Sequence, residues 1–141
     1  MAKAQSSQAK KSAGMPIGHG VGRRKSAVAR VWLRRGKGNI LVNGKDYKQY
    51  FDTEITRMDA YRPFVVVPDA GYDVEANVEG GGVYAQADAI SLGISRAMVE
   101  LNQEIKSVLR KAGLLTCDSR VKERKKPGQK AARRKFQFVK R

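Results

Sequence analysis

Cysteine and histidine are almost absent from the sequence. Its 141 residues contain one of each, Cys117 and His19. A lone cysteine cannot form an internal disulfide or a cysteine-based zinc site, which fits a protein of a reducing compartment. A lone histidine excludes most metal sites, and it excludes any Ser-His or Cys-His catalysis that needs a second imidazole. The sequence therefore predicts no metal ion and no cofactor.

Long apolar runs are also missing, and no secretory leader is predicted. There is no run of 18 or more apolar residues, so no segment is predicted to span a membrane. Residues 1–14 are basic and rich in serine and alanine, but they lack the apolar stretch of a secretory signal. A transit peptide shares part of this composition and remains an alternative, although the stretch is short and contains no arginine.

Acidic residues are scarce at the two ends of the chain. Residues 1–45 hold eleven Lys and Arg and no acidic residue, and residues 119–141 hold eleven and one. The middle of the chain is slightly acidic, and the whole carries +16. This pattern predicts a flexible basic N-terminal arm (residues 1–20), one globular domain (residues 21–118) and an extended basic tail (residues 119–141).

The tail indicates the kind of partner. It has no periodic apolar face, and Pro127 and Gly128 interrupt any helix, so its order depends on a polyanion. Nucleic acid is favoured, because each neutralised phosphate releases counterions and because Phe136 and Phe138 lie among basic residues, where bases can stack. A solubilising tail is one alternative. An acidic membrane surface is another, but it would need an amphipathic helix.

Alternating residues predict several strands. Residues 26–34 alternate between a small apolar face and a face with arginines and the single tryptophan. A glycine turn at residues 36–38 leads to residues 40–42, which we predict to pair with the first strand as a hairpin. Residues 72–79 alternate with an acidic outer face. Residues 18–22 superficially resemble a dinucleotide fingerprint, but with no strand before and no helix after, we interpret them as flexible backbone.

Helical spacing predicts the remaining elements. A short helix is expected at residues 47–51, a second at residues 53–64 with Thr53 as N-cap, and the longest at residues 83–101. A further short helix precedes a stop at Gly113. The glycine run before the longest helix lacks the Lys-Ser/Thr of a P-loop, so it predicts a strand-to-helix turn, with an RNA phosphate contact as the alternative.

Several motifs in a fixed order resemble protein nine of the small ribosomal subunit, in its bacterial form. The resemblance covers roughly residues 20–141. Its main motifs are GRRKS at 22–26, VARV at 28–31, VNG at 42–44, GGG at 80–82, KAGLLT at 111–116, RKKPG at 124–128, ARR at 132–134 and KR at 140–141. Val139 stands where a serine is common and Ala131 where a lysine is common. Asp88 argues against a direct phosphate role for the start of the longest helix.

The resemblance implies an α+β fold, a two-layer α/β sandwich with a small, mainly antiparallel sheet, helices packed on it, and a long extended basic C-terminal tail. It implies a structural protein of the small-subunit head, not an enzyme, located in the cytoplasm on the ribosome. Its partners would be small-subunit ribosomal RNA, P-site transfer RNA and neighbouring small-subunit proteins, with no membrane and no small-molecule substrate.

The resemblance also assigns residues. Lys140 and Arg141 would contact transfer RNA. The candidates for binding ribosomal RNA are basic residues of the first strand region and the tail: Arg23, Arg24, Lys25, Arg30, Arg34, Arg35, Arg120, Arg124, Lys125, Lys126, Lys130, Arg133, Arg134 and Lys135. Two rival functions remain open: a free-standing nucleic-acid chaperone or DNA-compacting protein, and a small-molecule kinase that uses the glycine turn.

Overall fold

The computed structural model describes residues 14–68 and 71–140. The strands are β1 (Gly18–Arg24), β2 (Ala27–Arg35), β3 (Ile40–Val42), β4 (Lys45–Asp46) and β5 (Tyr72–Glu79). The helices are α1 (Tyr47–Tyr50), α2 (Glu54–Val66), α3 (Val83–Leu101) and α4 (Lys106–Lys111), with a 3₁₀ helix at Gln103–Ile105. Within these ranges, no helix is both long and apolar enough to cross a membrane. Residues 1–13 of the predicted arm and Arg141 lie outside the described residues.

The five strands form one sheet in the order β1-β2-β5-β3-β4. All neighbouring pairs are antiparallel except β3 and β5, which are parallel. Helix α3 packs on one face of this sheet, with α2 packed against α3, and the other face carries charged side chains. The predicted α+β fold, a mainly antiparallel sheet with helices packed on it, is therefore confirmed.

The predicted hairpin between residues 26–34, which form β2, and residues 40–42, which form β3, is wrong. Strand β5 lies between β2 and β3, so that Val74 pairs with Leu33 on one side and with Ile40 on the other. Parallel neighbours need a long crossover, and the chain provides it through α1 and α2 between β3 and β5. The glycine turn after β2 is compatible with a hairpin and also with a connection that leaves room for a strand between β2 and β3. Only the pairing with β5 decides between the two.

Asp73 at the start of β5 closes the loop between β2 and β3. Its Oδ1 accepts hydrogen bonds from three consecutive backbone N–H groups, those of Lys37 (2.9 Å), Gly38 (3.1 Å) and Asn39 (3.0 Å). Glycine is needed at residue 36, because a Cβ there would overlap the Asp73 carboxylate. The carboxylate thus ties the loop to β5, which keeps β2 and β3 one strand apart.

Replacing Asp73 with alanine is expected to lower the free energy of unfolding by about 1.5–3 kcal/mol, because the loop N–H groups lose a charged acceptor. Amide hydrogen exchange at residues 37–39 should accelerate. Glu79→Ala is the matched control on the same strand. Glu79 makes one ion pair among the described residues, 3.7 Å from an exposed arginine, and such pairs contribute at most about 1 kcal/mol. Equal effects of the two substitutions would contradict this role for Asp73.

Strand β1 overturns the prediction of flexible backbone at residues 18–22. It starts at Gly18 and pairs with β2 along its whole length, from Gly18 opposite Leu33 to Arg24 opposite Ala27. The strand also begins inside the arm predicted for residues 1–20. Its inward-facing positions are glycines, which have no side chains to produce an alternating apolar pattern, so the sequence conceals the strand.

The inward glycines of β1 allow α3 to pack directly on the strand. A Cβ added to Gly22 would overlap the Ala89 carbonyl and lie 2.6 Å from the Gly93 nitrogen, and one added to Gly20 would overlap the Gly93 carbonyl. On the helix, a Cβ at Gly93 would lie 2.7 Å from Val31 Cγ2. Strand and helix therefore meet backbone to backbone, and the sheet needs glycine at these positions.

The core lies between α3 and the sheet. The small apolar face of β2 is fully buried, as predicted. Of the apolar stripe predicted for α3, Ile90, Ile94 and Met98 are fully buried, whereas the valine that begins the helix is 46% exposed. Phe51, just after α1, is also fully buried. Leu114 is 8% exposed and closes the core before the tail departs.

The predicted helices are confirmed, and an Asn-Gly turn joins β3 to β4. The second helix begins one residue after Thr53, although the Thr53 hydroxyl makes no capping bond; its carbonyl instead accepts a 2.7 Å bond from the Thr56 hydroxyl. Asn43 and Gly44 adopt φ of 50° and 79° between β3 and β4, as a two-residue hairpin turn requires. The Asn43 side chain also binds both the N–H and the carbonyl of Val78, which fixes the end of β5.

Candidate nucleic-acid interface

The basic tail follows directly on the core. The left-handed φ of Gly113, 75°, ends α4, and Leu114 is the last buried residue. From residue 119 to residue 140 the chain forms no helix or strand, and only Gln129 and Ala132 are partly buried. The charged side chains of this segment therefore face solvent, where a polyanion can reach them.

One loop inside the tail is held by its single acidic residue. Glu123 Oε2 accepts a 2.8 Å bond from Arg133 Nε. Nearby, Lys130 Nζ lies 5.7 Å from the ring centroid of Phe136. Exposed ion pairs of this kind contribute at most about 1 kcal/mol, so phosphate oxygens can replace Glu123 as the partner of Arg133 at little cost.

Arg24, the last residue of β1, joins the root of the tail (residues 117–120) to the globule. Its Nη1 lies 2.9 Å from Asp118 Oδ2 and donates to the carbonyl oxygens of Asp118 (3.3 Å) and Arg120 (3.5 Å). Its Nε donates to Asp88 Oδ2 on α3 at 3.3 Å. Only 14% of the Arg24 side chain is exposed. The predicted rRNA-binding residue is thus bound within its own chain, and Asp88 serves as one of its partners.

The Asp118 carboxylate is shared by two arginines. Arg120 donates to it through Nη2 (2.6 Å) and Nε (2.9 Å), and the Arg120 backbone N–H adds a 2.9 Å bond. These bonds, with the nearby charge of Arg24, hold the pKa of Asp118 well below its usual 3.8, and Asp118 in turn raises the pKa of Arg120. A lowered carboxyl pKa keeps the ion pair intact above pH 4 and loses it only in stronger acid.

A cavity of about 250 Å³ opens beside the root of the tail. Its walls come from β1, α2, α3 and the residues after α4, and they carry charges of both signs: Arg23, Arg24, Arg62 and Arg120 with Asp59, Asp88 and Asp118. Burial raises the pKa of Asp59, the charge of Asp88 raises it further, and Arg62 opposes both. The mixed charge makes this cavity a junction between elements rather than a simple phosphate site.

The predicted RNA-binding residues fall into two groups. Six of them form ion pairs within the chain: Arg24, Arg30, Arg34, Arg120, Lys126 and Arg133. The rest have no carboxylate partner in the part of the chain that the structure describes: Arg23, Lys25, Arg35, Arg124, Lys125, Lys130, Arg134 and Lys135. The second group holds the charge that is available to phosphate without breaking an internal pair.

The open face of the sheet neutralises its own arginines. Arg34 Nη2 lies 2.7 Å from Glu75 Oε2, and Arg30 Nη1 lies 3.7 Å from Glu79 Oε1. The acidic face predicted for β5 therefore lies beside the basic face of β2. Trp32, on the same face, packs against His19 with ring centroids 5.4 Å apart. This face offers less free positive charge than the sequence suggested.

The glycine run before α3 is a strand-to-helix turn, as predicted. Gly80 and Gly81 have φ of 73° and 67°, and a Cβ at Gly80 would overlap the Ser26 carbonyl. Only glycine permits this close passage against the turn between β1 and β2. The turn therefore places the start of α3, with Asp88, next to Arg24.

Sequence reasoning missed two residues of this region. Asp118 is the acceptor that holds the tail root, and Arg62 brings a further cation from α2 to the cavity. The i, i+2 spacing of Asp118 and Arg120 was visible as a local ion pair. The contact with Arg24 was not, since 94 residues separate the two partners.

Most of the chain matches one family of known proteins. The family described as ribosomal protein S9/S16 matches residues 22–141. The small ribosomal subunit protein uS9 of Cytophaga hutchinsonii is 55% identical over 128 residues, which cover 90% of this chain and all of the relative. The uS9 protein of Christiangramia forsetii is 52% identical over the same coverage. That of Borrelia turicatae is 49% identical over 91% of this chain and 95% of its own.

Proposed function

Because this chain belongs to the ribosomal protein S9/S16 family, we propose that its C-terminal tail crosses ribosomal RNA and ends against P-site transfer RNA. The chain is a structural protein of the small ribosomal subunit and not an enzyme, and it is located on the ribosome in the bacterial cytoplasm. Ribosomal RNA binding is general for the family. Membership sets aside the kinase and the free-standing chaperone.

The observation that carries the proposal is the exposed basic tail. Residues 119–141 have a net charge of +10, and their described part has neither regular structure nor a buried side chain. Twenty-three residues can span roughly 75 Å when fully extended, which is enough to cross RNA and meet a second molecule. The globule supplies the fixed end, and the tail supplies the reach.

The unpaired cations suit ribosomal RNA along this path. Arg124, Lys125, Lys130, Arg134 and Lys135 are exposed and make no internal ion pair among the described residues. Contacts of Lys and Arg with phosphate are largely independent of base sequence. That independence also suits the tip, which has to hold any transfer RNA in one site.

The tip itself is open. Phe138 is 93% exposed and Val139 82% exposed, and Lys140 is exposed as well. The valine offers no hydroxyl for a phosphate, so in this chain the tip depends on charge from Lys140 and Arg141 and on stacking by Phe138.

Deleting Lys140 and Arg141 tests the proposal. Small subunits should still assemble, because all other cations remain, but the dissociation rate of P-site transfer RNA should rise about tenfold through the loss of two phosphate contacts. The measurement is the off-rate of labelled transfer RNA from reconstituted subunits. Lys106→Gln/Lys111→Gln, which removes two cations from α4, is the matched control. An unchanged off-rate in the deletion, or an equal rise in the control, would overturn the proposal.

A further inference from the structure

We propose that Arg24 is a positioning residue and not a ligand of RNA: it sets the direction in which the tail leaves the globule. The inference deepens the proposed function and rests on it, since the direction of the tail matters only if the tail has a distant target. It replaces the role that the resemblance implied for Arg24. The supporting observations are the burial of its side chain, its partners and the path of the chain after it.

The guanidinium of Arg24 joins three parts of the fold. It is carried by the end of β1, its Nε binds Asp88 on α3, and its Nη1 binds the side chain and carbonyl of Asp118 and the carbonyl of Arg120. With 14% of the side chain exposed, little of it remains for a phosphate. A planar fork with several donors can make these bonds together, and an ammonium cannot.

A second bond fixes the same segment to the residue before Arg24. The Cys117 thiol donates to the carbonyl of Arg23 at 3.0 Å. Residues 117–120 are therefore bound at consecutive positions along the end of β1. Beyond residue 120, the hydrogen bonds and ion pairs of the described tail, such as Glu123 with Arg133, all lie within the tail. The bonds of Arg24 with Asp118 and Arg120 are thus the last contacts through which the globule directs the chain.

Fixing the root raises the probability that the tail meets its target. A tail that starts in one direction samples a smaller volume, so its effective concentration near a fixed RNA surface is higher. Part of the ordering cost is met before binding, which strengthens the bound state without any new contact with RNA.

The sign of one substitution separates positioning from simple charge. Asp118→Asn removes a negative charge from a chain that already carries +16. Counting charge alone, this change strengthens RNA binding. If Asp118 and Arg24 direct the tail, the same change weakens binding. Arg24→Lys separates the two roles again, because lysine keeps the charge that a phosphate contact needs and loses the fork that the root needs.

The experiment uses the full chain with Arg24→Lys, Asp118→Asn and two controls. Arg96→Lys loses a fork from an arginine that binds the Val21 carbonyl of β1 at 2.7 Å, away from the tail. Asp52→Asn removes the same charge as Asp118→Asn, at an exposed residue without a partner in the described part of the chain.

Two readouts are measured: ¹⁵N relaxation of residues 117–120 in the free protein, and affinity for a transcript of small-subunit ribosomal RNA. In both test variants we expect the backbone of residues 117–120 to become mobile on the nanosecond timescale. We expect RNA affinity to fall about tenfold. Both controls should keep wild-type order at the root and wild-type or slightly tighter binding.

Two results would overturn the inference: wild-type order and affinity in Arg24→Lys, or tighter RNA binding by Asp118→Asn. Asp118 lies outside the core, so its substitution leaves folding intact and keeps the test decisive. Failure of the proposed function is a separate result. It would appear as an unchanged transfer RNA off-rate after deletion of the last two residues, while the order of residues 117–120 in the free chain would still report on Arg24.

Discussion

Ending the chain at Ser119 is expected to remove most of its affinity for small-subunit ribosomal RNA while the globule stays folded. The deletion takes away eleven basic residues and one acidic residue. Proteins that neutralise 6–10 phosphates lose about 10³–10⁵ in affinity between 50 and 200 mM salt. The full chain should show a dependence of that size, and the shortened chain, which keeps only the free cations of the globule and the N-terminal arm, should show a much weaker one. The measurement is the slope of log affinity against log salt concentration.

Folding and graded charge provide the controls for this deletion. Leu114 closes the core before the cut, so thermal unfolding of the shortened chain should stay within a few degrees of the full chain. Replacing only Arg124, Lys125 and Lys126 with glutamine should lower the slope by about 2, in proportion to the charge removed. An undiminished slope after the full deletion would show that the globule, and not the tail, carries the RNA contacts.

Replacing Gly22 with alanine is expected to destabilise the globule by about 3 kcal/mol or more, because the new Cβ would overlap the Ala89 carbonyl of α3. The atoms nearest to the new Cβ all belong to the backbone of α3, so no flexible side chain can move aside. For a globule of this size, the midpoint of thermal unfolding should fall by more than about 10 °C. Urea or thermal unfolding of the full chain measures the effect.

Gly82→Ala is the matched control for this substitution. A Cβ at Gly82 would have nothing within 4 Å, and the residue has an ordinary φ of −97°. The control should cost about 0.5 kcal/mol, as for alanine at a helix N-cap. Equal losses in Gly22→Ala and Gly82→Ala would contradict the direct packing of α3 on β1.

The elements predicted well from the sequence were those with a strong apolar period. Helix α3 has a stripe of large side chains at helical spacing, and β2 alternates in the way a half-buried strand requires. Strand β1 has neither signal, because its buried positions are glycines. A glycine-rich segment without an apolar pattern was therefore predicted to be flexible. Its role becomes visible only when the backbone of α3 is placed against it.

The pairing of distant segments was the second feature of the fold that the sequence did not predict. The turn after β2 predicted a hairpin, but β5 lies between β2 and β3, and Asp73 ties the loop to β5 from 34 residues away. The same register brings Glu75 to Arg34 and so neutralises a predicted RNA-binding residue. Composition identified the basic tail, whereas only the fold shows which arginines are already bound inside the chain.

The most direct test of the account is a density map of the small subunit, assembled with this protein and carrying transfer RNA in the P site. The account predicts that the chain leaves the globule at Asp118 and Arg120, that the basic residues after it lie along ribosomal RNA, and that Lys140 and Arg141 lie against the transfer RNA. A tail folded back on its own globule, with no RNA beside it, would contradict the account.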